Sequence, residues 1–104
     1  MTRFAFKMQL KPGFEDEYKK RHDEIWSELS DLLSEAGISN FSIFLDEETL
    51  TLFGIEELSD DNTVNDLQNN PLMRKWWDYM ADVMDYNPDG TPVVIPLKEV
   101  FHMD

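Results

Sequence analysis

Cysteine is missing from all 104 residues, which removes disulfides, thiol nucleophiles and thiolate metal sites at once. Positive charge is scarce: nine Lys and Arg stand against 22 Asp and Glu, a net charge of −13. A surface of that sign repels phosphate backbones and anionic headgroups, so neither nucleic acid nor a membrane is expected as a partner. No stretch reaches the ~18 apolar residues of a membrane span. The N-terminal MTRFAFKMQL alternates polar and apolar residues where a secretory leader would be continuously apolar. The cytoplasm is therefore the expected compartment, and the sequon Asn40-Phe41-Ser42 is a chance match. Walker, GxGxxG, HExxH and GxSxG patterns are also missing. With only His22 and His102, far apart in the chain, no spacing identifies a metal site. DDNTVNDLQNN has the acidity of a calcium loop, but Val64 fills a ligand position and the required glycine is lacking. No metal is expected.

What is present is a core. Apolar residues make up 41% of the chain and aromatics 12%, enough for one packed domain over residues 1–104. Phe4, Phe6, Met8 and Leu10 alternate with polar residues, the period of a half-buried strand, and Pro12-Gly13 ends it. From Phe14 to Ala36 apolar residues recur at three- and four-residue intervals, which predicts one helix closed by Gly37. FSIFLD (41–46) and TLTLFGIEEL (49–58) read as a hairpin, and SDDNTVNDLQNN as a polar stretch with a short helical piece. Asn70 before Pro71 marks the start of a second helix, expected to run to about Met84. YNPDGTP turns the chain, and VVIPLKEVF makes a last strand in which Pro96 requires an edge or a bulge.

The order β-α-β-β-α-β is that of an α+β, ferredoxin-like domain, an antiparallel sheet with both helices on one face. The chain has no helix left to cover the other face. A homodimer with the open sheet faces turned together, a dimeric α/β barrel, is expected.

His22 lies in EYKKRHDEIW, about 30° from the centre of the stripe formed by Phe14, Tyr18, Ile25, Leu29 and Leu33. Tyr18 four residues before it and Trp26 four after share its strip of the helix. A histidine so placed is ordinarily a core residue satisfied by hydrogen bonds. In a semi-apolar cleft it also suits general acid–base catalysis, because its pKa is near neutrality. In RKWWDYM the charged Arg74, Lys75 and Asp78 leave Trp76 and Trp77 on the apolar arc, straddling Met80. Adjacent tryptophans usually serve the core or a dimer contact; they also make a platform for sugar C–H groups with an N–H free to donate. His102, near the C-terminus, is expected at the surface or a dimer edge.

With these residues in hand, the chain resembles the L-rhamnose mutarotase family. EYKKRHDEIW resembles its Tyr-x-x-x-His-x-x-Ile-Trp segment, RKWWDYM its double-tryptophan segment, and NPDGTP with LKEVF its C-terminal portion. The resemblance implies a dimeric ferredoxin-like fold and interconversion of the α and β anomers of L-rhamnose, a small neutral sugar. It implies His22 as proton donor and Tyr18, Trp76 and Trp77 as sugar-binding residues. One departure stands out: the family has a sugar-contacting tyrosine where this chain has Phe41, so a hydroxyl is lost.

Mutarotation moves protons only, onto and off the ring oxygen and the anomeric hydroxyl, and requires no cofactor. The sequence leaves the base open among a carboxylate, a tyrosine and water. Two other functions fit the same pattern: a cofactor-free monooxygenase or small isomerase of the same dimeric fold, and a non-enzymatic sugar-binding module.

Overall fold

The structure, a computed structural model, describes residues 1–104. Its elements are β1 (Thr2–Gln9), α1 (Glu15–Asp23), α2 (Ser27–Glu35), β2 (Ile38–Asp46), β3 (Thr51–Leu58), a 3-10 turn (Val64–Asn69), α3 (Pro71–Met80) and β4 (Ile95–Leu97). The strands form one sheet in the order β2-β3-β1-β4, with every neighbouring pair antiparallel. This is the α+β, ferredoxin-like arrangement expected, and Pro96 does fall on an edge strand, opposite Phe6.

The single helix expected from Phe14 to Ala36 is two. α1 closes where the Glu24 N–H donates to the Lys20 carbonyl and the Ile25 N–H to the His22 carbonyl, and Trp26 is extended (φ −61°, ψ 130°) before α2 begins. Charge carries the signal that apolar spacing hides: α1 has Glu15, Asp16 and Glu17 in its first turn and Lys20, Arg21 and His22 in its last, and α2 has Glu28 in its first. Each of these placements opposes the helix macrodipole, as two separate helices require.

α3 starts as expected: the Asn70 side chain accepts from the N–H groups of Leu72 and Met73, with Pro71 at the first helical position. It stops at Met80, short of Met84. Val83 and Met84 leave the helix because they extend the end of β1: the Val83 carbonyl accepts from Lys11, and Met84 bridges to Leu10. Both are buried in the core there. The last strand shrinks to three residues for want of partners beyond Leu97.

Leu10, Tyr18, Leu29, Leu52, Met73, Trp76, Met80, Val83 and Met84 form the core between sheet and helices. Met8 and Leu52 pair across β1 and β3, so pleat alternation puts Phe4, Phe6, Gly54 and Glu56 on this helix-bearing face. The opposite face carries Ala5, Phe44, Phe53, Ile55, Ile95 and Leu97, of which Phe44 is 60% exposed and Ile95 48%.

Candidate active site

α1 puts Tyr18 and His22 one turn apart, and their rings stack with centres 4.3 Å apart. α3 brings Trp76 edge-on to the imidazole, 5.5 Å between centres. Tyr18 and Trp76 are buried and His22 is partly open, so a reactive imidazole edge stands on an apolar floor.

The state of that imidazole follows from its one hydrogen bond. Nδ1 lies 3.1 Å from the Tyr18 carbonyl oxygen. A carbonyl only accepts, so Nδ1 carries the proton and a neutral ring presents a free lone pair at Nε2. Burial lowers the His22 pKa; the hydrogen bond to the Tyr18 carbonyl and the charge of Asp23 oppose it more weakly. Burial, with Tyr86 nearby, raises the Tyr18 pKa, so its phenol keeps its proton as a neutral donor.

Trp26 does not share the strip of Tyr18 and His22, because the helix breaks before it. It reaches Trp76 from another side, edge-on at 5.0 Å, and stacks on Tyr79 at 5.6 Å. The two adjacent tryptophans also part company. Trp76 is buried among these rings, whereas Trp77 is half-buried beneath the Arg74 guanidinium, 5.4 Å from its ring centre. Arg74 is held there by the carbonyls of Gln68 and Asp89, at 2.6 and 2.9 Å. The structure thus groups Tyr18, His22 and Trp76 by direct contact, whereas Trp77 packs against the core with Arg74 over its ring.

Three further side chains that the sequence pattern does not single out for a site are buried or nearly so. Arg21 is 11% exposed at its side chain, donates to Glu17, Asp82 and the Tyr79 carbonyl, and lies over the Tyr79 ring, tying α1 to the end of α3 beside His22. Phe6 is buried on the sheet, its ring lying so close over Gly54 that a Cβ there would collide with it. Glu56 is a buried carboxylate. The pairing of Gly54 with a large aromatic was the only local hint, and it needs the strand register to be seen. His102 is exposed at the chain end, on Arg3 and Asp104, outside any strand.

A family model of L-rhamnose mutarotases matches residues 3–103. An L-rhamnose mutarotase of Flavobacterium johnsoniae is 58% identical over 102 residues, covering 98% of this chain and 95% of the relative. That of Phocaeicola vulgatus is 54% identical over the whole of both chains. The crystal structure of an L-rhamnose mutarotase from Formosa agariphila superposes with a TM-score of 0.92 at 52% identity, again over the whole of both chains.

Proposed function

The chain belongs to the L-rhamnose mutarotase family, and on that premise we propose that it is an isomerase interconverting the α and β anomers of L-rhamnose. His22 handles the proton at the reacting end of the sugar; Tyr18, Trp76 and Trp77 hold it. The observation that carries this reading is the neutral imidazole with Nε2 free, fixed by the Tyr18 carbonyl and standing among aromatic rings.

Such a group can take the anomeric hydroxyl proton as the C1–O5 bond opens and O5 takes a proton from a second donor. After rotation about C1–C2 the imidazolium returns its proton to the carbonyl oxygen as O5 gives its proton back and the ring closes on its other face. His22 is then the donor of the reclosing step. Its low pKa makes that transfer easy, since a buried imidazolium gives up its proton readily. The Tyr18 phenol supplies a hydrogen bond to a sugar oxygen, and the indoles supply flat apolar surface for C–H groups. Phe41 presents a ring without a hydroxyl, so selectivity for the sugar rests on the remaining donors.

Cytoplasmic residence and a homodimer belong to the same proposal. What supports the dimer is the sheet face bearing Phe44, Ile55, Ile95 and Leu97, exposed apolar side chains in one patch that a second copy would cover.

Saturation-transfer proton NMR on L-rhamnose tests the activity: irradiating one anomeric resonance transfers saturation to the other faster with the protein than in buffer. A folded protein that leaves the exchange at its buffer rate overturns the assignment for this sugar.

A further inference from the structure

Glu56 is the charged residue this fold buries, at 8% exposure. On one side it pairs with Phe4 of β1. On the other it faces a bulge in β2: Ser39 pairs with Glu57 and Ser42 with Ile55, leaving Asn40 and Phe41 together opposite Glu56. Asn40 takes a left-handed conformation, φ 48°, to make that bulge. The result brings the Phe41 ring to 6.2 Å from Phe6, on the helix-bearing face where the Glu56 side chain also points. Phe6 is buried, yet the helix-side core ends before it. The Glu56 carboxyl has no ion pair or hydrogen bond within the protein, but its oxygens are not sealed from solvent. A carboxyl taken out of water is ordinarily paired; one left unpaired beside an open aromatic floor is free for a ligand.

We propose that Glu56 is the second proton-transfer group of the sugar site, exchanging a proton with the ring oxygen while His22 exchanges one with the anomeric oxygen. This rests on the mutarotase reading and supplies the partner that reading lacks. Burial raises the Glu56 pKa as it lowers that of His22. Burial thus moves each group toward its neutral form, in which a carboxyl donates and an imidazole accepts, the complementary pair that ring opening requires.

In the opening step the Glu56 proton passes to O5 as C1–O5 breaks, and the O1 proton passes to Nε2 as C1=O1 forms. After rotation about C1–C2, the O5 proton returns to the carboxylate as C1–O5 forms again, and the imidazolium protonates O1. Both groups end as they began, with no co-reactant.

The experiment is saturation transfer with wild type, Glu56→Gln and Glu56→Ala. E56Q keeps the shape and removes the acid; its kcat should fall at least about 100-fold, the usual worth of one acid–base group, with KM within a few-fold of wild type. Added formate should restore rate to E56A but not to wild type, which a packing role would not produce. An E56Q protein with wild-type kcat overturns the proposal and leaves the mutarotase reading intact. A wild-type protein that does not accelerate anomer exchange overturns both. Where E56Q fails to fold by circular dichroism, Glu56→Val, which matches the hydrocarbon around it, carries the same test with the same two outcomes.

Discussion

His22 and Tyr18 are joined twice: their rings stack 4.3 Å apart, and the imidazole Nδ1–H donates to the Tyr18 carbonyl at 3.1 Å. The second contact sets the tautomer and the first sets the ring's orientation, so one residue spaced a helical turn away holds the imidazole in a single chemical state. Replacing the Tyr18 side chain would free the ring but leave the tautomer, because the backbone carbonyl remains.

His22→Asn retains a polar side chain of similar reach and removes the titrating nitrogen. The rate of anomer exchange should drop by about 100-fold or more, with the far-ultraviolet spectrum and L-rhamnose binding unchanged. Turnover within a few-fold of wild type would end the role assigned to His22.

The pH profile should have an acid limb. With the His22 pKa held below the ordinary imidazole value of ~6.5, the acceptor form dominates at neutral pH, and kcat/KM falls only as pH drops through the lowered value. Stability follows the same sign. The folded state binds fewer protons at His22 than the unfolded chain, so this contribution is present above about pH 6.5 and is lost as pH falls through the folded pKa. Saturation transfer between pH 8 and 5 checks the first part. A rate that climbs as pH falls through this range in Glu56→Gln as well as in wild type would instead make imidazolium the working form.

Arg21→Ala should destabilise the fold by about 1–3 kcal/mol, since it deletes charge-assisted bonds to Asp82 and to the Tyr79 carbonyl from a largely buried fork. Arg21→Lys should recover only part, because an ammonium does not span both acceptors. Urea midpoints for the three proteins give the comparison. Activity should fall with R21A as well, as Arg21 adjoins His22 on the helix that it anchors.

Phe44→Asp puts a charge on the exposed apolar sheet face, opposite the face that packs against the helices. If two copies meet through that face, the variant should sediment as a 12.3 kDa monomer where wild type sediments at twice that mass. Equal masses for the two proteins would remove the sheet-to-sheet dimer.

Much of this site is legible without coordinates because it is local. The alternation of Phe4 to Leu10 forces a strand with one apolar face, Asn70-Pro71 caps a helix, and the four-residue step from Tyr18 to His22 puts both on one strip of α1 whatever surrounds them. These depend on backbone periodicity and hydrogen bonds a few residues apart. The segments quoted for the family resemblance carry the same kind of short-range information.

Tertiary structure decided the rest. The break at Glu24 to Trp26 lets Trp26 reach Trp76 and Tyr79, a choice made by packing on α3 against an apolar spacing that reads as continuous helix. Trp76 and Trp77, adjacent and chemically alike, part into a buried ring and a half-buried one because only docking determines which arc of α3 meets the core. Glu56 looks like any acidic residue at the end of a strand. Its burial comes from register, with Phe4 on one side and the Asn40–Phe41 bulge on the other, and register is set by hydrogen bonds between residues far apart in the chain, which no short window of sequence contains.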